Sequence, residues 1–361
     1  MQAKDRVHFI DISPRSWEHP ADKAALDALR AVPGLDILIQ KLFGATTERS
    51  LRLLQLASSV RVSETQFAEL HTMYREAGQV LNIGTMPELY VANNPFLNAS
   101  AIGFDRPFIV LNSSTVEGLK PDQLMFILGH ELGHVLSGHA LYKTLLAVLM
   151  RLLTFAIYVP LGAAPLMAII MALLEWDRKS ELTADRAGLL VLQETMGAYK
   201  SQMQLAGGAG IDKMNINEFF VQAAEYEAGE NIVDSLYKMI NLAFTTHPFP
   251  VLRVVELKKW VDSGMYGAIL NGEYKRRGGE DNQGSVFDSF REAGKQYRED
   301  FQSSTDPLMK IFAGAADVAE GAADRGREFF ESLFKNRRSN GASNGGAAAG
   351  EDDNSGSAEK S

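Results

Sequence analysis

Apolar side chains recur at helical spacing from Ala21 to about Gly78: Leu26, Leu29 and Val32, then Leu51, Leu54, Leu56 and Val60, then Phe67, Leu70, Met73 and Tyr74. Pro33-Gly34 and Gly44 punctuate this run, so residues 1–80 read as a helical lead-in packed on the main domain. The pattern changes at Pro87. Leu89-Tyr90-Val91, Asn98 to Phe104 and Phe108 to Leu111 are short apolar runs, separated by Asn93-Asn94-Pro95 and by Asp105-Arg106-Pro107. Runs of that length between turn residues predict a small three-stranded meander. A helix start comes at Pro121-Asp122, where proline suits the first turn and the aspartate its positive end. From there Leu124, Ile127, Leu128, Glu131, Leu132 and Val135 continue a helix.

Thr144 to Leu174 carries one charge, Arg151, and is broken near its middle by Pro160, Gly162 and Pro165. Polar helix returns from Glu175 to Met196, with further helices to about Val261. Val286, Phe290, Ala293, Tyr297 and Phe301 then form one amphipathic stripe, and Leu308, Phe312, Ala315, Val318 and Ala322 a second. Residues 336–361 are Ser, Gly, Ala, Asn and acid, with too little apolar surface to fold. The expected organisation is a lead-in over 1–80, a main domain over 81–263 with an apolar insert at 144–174, an amphipathic helical region over 264–335, and a disordered tail. The class is α+β, mostly helical.

Composition narrows the chemistry. The 361 residues include 36 basic and 45 acidic side chains, a formal net charge of −9, which argues against a nucleic-acid partner needing a basic face. There is no cysteine, which excludes disulfides, thiolate metal sites and a cysteine nucleophile. Any metal must be held by histidine and carboxylate. Met1 to Pro20 has no apolar stretch, so no signal peptide is expected there.

His130-Glu131-Leu132-Gly133-His134 supplies such ligands. Two histidines four apart on a helix share a face and reach one ion, with Glu131 beside them to take a proton from a metal-bound water. A catalytic zinc site needs a third protein ligand. His139 lies nine residues after His130, about half a turn round the helix from it, and is disfavoured. His247, in Thr246-His247-Pro248, and Glu181, in Ser180-Glu181-Leu182-Thr183-Ala184-Asp185, remain. Spacing prefers Glu181, with Asp185 on the same helical face to fix a ligand histidine from behind.

Four pieces in order resemble the HtpX-like zinc metallopeptidases, gluzincins related to the CAAX prenyl proteases and to periplasmic chaperone-proteases. They are Asn98-Ala99-Ser100-Ala101-Ile102-Gly103, the His130–His139 segment, Glu181 to Asp185, and Thr246-His247-Pro248 with Arg253, spread over roughly residues 87–257. The resemblance implies a zincin-like catalytic domain with the small sheet on the H-E-x-x-H helix, and one zinc ion per chain on His130, His134 and Glu181. It further implies Glu131 as general base, His247 as oxyanion stabiliser, and Asn98, Ala99, Ser100 and Ala101 as an edge strand that receives substrate. The function it implies is an endopeptidase for unfolded or misfolded protein, in membrane-associated quality control. The alternative is a metal-stabilised, chaperone-like module that binds extended chains without cutting them. Because His134 and Glu181 must meet at one ion, the insert crosses a bilayer twice or not at all. A membrane hairpin is the favoured reading, with the catalytic domain on the cytoplasmic side. A buried helical pair in a cytoplasmic protein is the other.

Overall fold

The computed structural model describes residues 6–278, apart from 33, 43–44, 156–163, 209 and 229–248. Its elements are α1 (Pro20–Arg30), α2 (Leu35–Leu42), α3 (Ala45–Ser58), β1 (Ser59–Arg61), α4 (Ala68–Val80), β2 (Glu88–Ala92), β3 (Ala99–Ile102), β4 (Phe108–Asn112), α5 (Ser113–Gly118), α6 (Pro121–Leu136), α7 (His139–Phe155), α8 (Ala164–Leu192), α9 (Thr195–Gly207), α10 (Ile216–Ala228), α11 (Pro250–Asp262) and α12 (Met265–Leu270). The protein is mostly helical with one small sheet, as the sequence pattern implies. The amphipathic stripes beyond residue 278 and the tail lie outside the described residues.

The three expected strands form, but not as a meander. The order is β1-β2-β4-β3, with β2 and β4 parallel and the outer pairs antiparallel. Phe108 to Leu111 is apolar at every position and buried throughout, so β4 belongs inside the sheet. Ala99–Ile102 alternates buried and half-buried positions, the pattern of a strand with one solvated face, and β3 takes the outer place. The fourth strand, β1, falls where leucine spacing reads as helix through Val60. It pairs Val60 with Val91 of β2.

Helix α6 is buried from Gln123 to His134, and its first turn is closed by the Lys120 N–H donating to Gln123 Oε1 at 2.9 Å. It lies against the second half of α8, and the contact is made through glycine. A Cβ on Gly133 would sit 2.5 Å from Ala187 Cβ, and one on Gly129 would sit 2.6 Å from Val191 Cβ. One on Gly188 would sit 2.8 Å from the Phe126 carbonyl oxygen. The helix-weakening glycine inside the H-E-x-x-H motif is thus where a second backbone comes close. Gly133→Ala should gain about 1 kcal/mol of helix propensity and lose more to overpacking, about 1–3 kcal/mol. A thermal midpoint several degrees lower checks this, and an unchanged midpoint contradicts it.

The apolar insert at 144–174 takes in most of α7 and the first part of α8. Leu145, Leu146 and Leu149 of α7 and Ile169, Ile170, Leu173 and Trp176 of α8 form one apolar cluster with Leu29 of α1 and Leu35 and Leu38 of α2. These side chains of the insert therefore pack with the N-terminal helices, while Met167 is exposed. No helix among the described residues is long and apolar enough to cross a membrane.

Helix α1 is fastened to α8 at its first turn. His19 is the N-cap: its Nδ1 accepts from Ala21 N–H at 3.1 Å, and its own N–H donates to Thr183 Oγ1 at 3.0 Å. Its Nε2, 3.4 Å from Glu256 Oε2, carries the remaining hydrogen. Burial, reinforced by Arg186, pushes His19 down to about 4 against the pull of Glu256. The unfolded chain therefore binds the extra proton first, between pH 6.5 and 4, and stability present above that window is lost as pH falls through it. Between pH 7 and 5 this amounts to about 2 kcal/mol. His19→Asn keeps the cap without the titration, so its urea midpoint should fall less over the same interval. Equal falls would sink the assignment.

Candidate metal centre

Helix α6 presents His130 and His134 one turn apart, and the glycine seam brings Glu181 of α8 against them. His130 Nε2 lies 3.1 Å from His134 Nε2, His134 Nε2 lies 3.1 Å from Glu181 Oε1, and His130 Nε2 lies 3.4 Å from Glu181 Oε2. All three side chains are buried. Donors bound at about 2.0–2.1 Å around a tetrahedral ion stand about 3.3 Å apart. The three separations match the edges of that tetrahedron, and two imidazoles with one carboxylate are the donor set of a hydrolytic metal site.

The surroundings hold each donor in place. His130 Nδ1–H donates to Asp185 Oδ1 at 3.0 Å, which leaves Nε2 for the ion. Asp185 also accepts from Arg253 Nε at 2.7 Å and from Gln202 Nε2 of α9 at 2.8 Å. Burial would raise the Asp185 carboxyl, but Arg253 and His130 hold it below its ordinary value. Glu181 faces two cations: Arg253 Nη1 at 3.0 Å from Oε2, and Lys143 Nζ of α7 at 2.7 Å from Oε1. Lys143 also reaches Asp177 Oδ1 at 2.7 Å. Burial opposes charge on His130, yet Glu181 and Asp185 push it up to about 9. His134, buried beside Lys143, is pushed well down. Glu131 is 1% exposed and lines a small cleft with His130, Ile127, Leu205 and the start of β3 at Asn98 and Ala99.

The sequence model of peptidase family M48 matches residues 64–261, more than half of the chain. The chain belongs to peptidase family M48. The plastoglobule-localized metallopeptidase 48 of Arabidopsis thaliana chloroplasts is 36% identical to it over 275 residues, 73% of this chain and 77% of that protein. A protease HtpX homolog of Helicobacter pylori is 30% identical over 83 residues, 22% of this chain and 27% of that protein. A protease HtpX of Xylella fastidiosa is 33% identical over 79 residues, 21% of this chain and 27% of that protein. No solved structure matches it. This M48 protein is a metallopeptidase, a hydrolase of peptide bonds.

Within the M48 domain, the structure gathers His130, Glu131, His134, Glu181 and Asp185 at one place. Ala99, Ser100 and Ala101 lie on the outer strand β3, with Asn98 just before it. His139 stands behind His134, Nδ1 to Nδ1 at 3.0 Å, and outside the donor cluster. His247 lies outside the described residues. Sequence reading missed Lys143 and Asp22, whose carboxylate meets His139. A signal for each existed: Lys143 stands at the mouth of an apolar run, and Asp22 shares a helical face with Ala25, Leu26 and Leu29. A charge on an apolar stripe asks for a buried partner.

Proposed function

We propose that this metallopeptidase holds one zinc ion per chain on His130, His134 and Glu181 and cuts unfolded or flexible protein segments internally. The carrying observation is that Glu131, His130 of the donor set and the start of the outer strand β3 line one cleft. Zinc, when bound, polarises the scissile carbonyl and lowers the pKa of a water. Glu131 takes a proton from the attacking water and returns it to the departing amine. Asp185 and Arg253 hold His130 and Glu181 in their places, so the donors need little rearrangement. An extended substrate adds along the outer edge of β3 through backbone hydrogen bonds. Recognition by backbone reads an extended conformation rather than a sequence, which suits a chain that has lost its fold. The apolar sequence from Ala156 to Ala163 and the plastoglobule location in the Arabidopsis relative's name support quality-control work at a membrane or lipid surface.

Zinc-loaded protein incubated with casein tests the reading, with products mapped by mass spectrometry and vesicle flotation run alongside. Internal cuts that stop on chelation and return with zinc are expected. Stepwise release of terminal residues would replace the endopeptidase by an exopeptidase. Casein bound but uncut would put a metal-stabilised, chaperone-like binding module in its place. Failure to float with vesicles would remove the lipid surface.

A further inference from the structure

On the side of His134 away from the donor cluster, buried side chains lead out of the family-matched segment. His134 Nδ1 lies 3.0 Å from His139 Nδ1, and His139 Nε2 lies 3.0 Å from Asp22 Oδ2. Thr183 Oγ1–H donates to that same oxygen at 2.6 Å. None of the four is more than 2% exposed. We propose that His139 and Asp22 are positioning residues of the metal centre, which together fix the tautomer and ring plane of His134 so that Nε2 is offered to the ion. This rests on the zinc reading above.

Two ring nitrogens 3.0 Å apart share one hydrogen. If His134 gives Nε2 to a metal, its hydrogen sits on Nδ1 and is donated to His139. His139 then accepts at Nδ1, so its own hydrogen sits on Nε2 and is donated to Asp22. Each assignment forces the next. In the opposite tautomer His139 would present N–H to His134 Nδ1 and drive the hydrogen of His134 onto Nε2, the atom the metal needs. Asp22 selects between the two, because a carboxylate accepts and never donates.

Packing alone gives no reason for an acid at this place. Asp22 sits on the buried stripe of α1 with Ala21, Ala25 and Leu29. Its second oxygen has no hydrogen-bond partner among the described residues. A buried carboxylate costs several kcal/mol, and an apolar side chain of like volume would do no worse as filling. His139 is further held by Trp176, ring centroids 5.4 Å apart at 84°. Asp22 also precedes residues 64–261, so the lead-in helix takes part in the metal site from outside the segment that defines the family.

The test is zinc affinity, measured by competition with a chromophoric chelator on the full chain, with circular dichroism as the check on folding. His139→Ala should weaken zinc binding about 10–100-fold. His139→Gln, whose amide oxygen can accept from His134 while its NH2 donates to Asp22, should recover most of that loss. Asp22→Asn, which keeps the acceptor and the size but drops the charge, should lose about tenfold. If His139→Ala does not fold, the Gln and Asn variants carry the comparison. A folded His139→Ala or Asp22→Asn with wild-type affinity overturns the proposal, as does Gln binding no better than Ala. Wild type that takes up no zinc overturns both the metal reading and this one. Wild type that binds zinc but cuts nothing overturns the peptidase reading alone, because affinity still decides the relay.

Discussion

Glu131→Gln should keep its metal and lose hydrolysis, with turnover of an unfolded substrate falling by about 10²–10⁴. Glu131 comes directly after His130 on α6 but its carboxylate is not part of the donor set, so removing its charge leaves His130, His134 and Glu181 in place. Glutamine keeps the length and can still hold a water by a hydrogen bond. It cannot take the proton, and that separates positioning from general-base work. Metal content by atomic absorption and cleavage by peptide mapping, on the same preparation, check both halves. A variant that cuts at the wild-type rate would remove Glu131 from the chemistry.

Glu181→Gln should fail in the other way, losing metal before it loses anything else. The substitution removes the one anionic ligand, so affinity should fall by more than the 10–100-fold expected for partners behind the ligands. Stability should fall as well, because Glu181 is a counter-charge to both Lys143 and Arg253. Breaking a buried ion pair outright costs roughly 3–5 kcal/mol. Here the loss should be smaller, since Lys143 keeps Asp177 and Arg253 keeps Asp185. Equilibrium dialysis against zinc and thermal unfolding of the metal-free protein read the two effects separately. Full metal retention would mean that Glu181 is not a ligand.

How much of this site the sequence revealed depends on how local each relation is. His130 and His134 are four apart on one helix, so spacing alone puts them on one face with Glu131 beside them, and Glu181 and Asp185 share a face in the same way. That α6 and α8 touch through Gly129, Gly133 and Gly188 has no local signature, because glycine spacing shows its purpose only against a partner. Asp22 and Thr183 meet across 161 residues, and nothing periodic ties them. The strands were legible as apolar runs, but their order was not. The continuous burial of Phe108 to Leu111 against the alternation of Ala99–Ile102 held that information, and loop length misled. Strand β1 was hidden because the leucine spacing of α3 runs into it without a break.

Helix α8 carries Ile169 and Trp176 in the apolar cluster and, without interruption, Glu181 and Asp185 at the metal centre. From Ile169 to Glu181 the axis runs about 18 Å. Over that length a helix behaves as a stiff rod, and a tilt of about three degrees at the Ile169 end displaces the carboxylate by about 1 Å. A displacement of that size costs a catalytic site on the order of a hundredfold in rate. The apolar half of α8 is thus mechanically continuous with Glu181. A load on the apolar end of α8 becomes a displacement of Glu181 at the other.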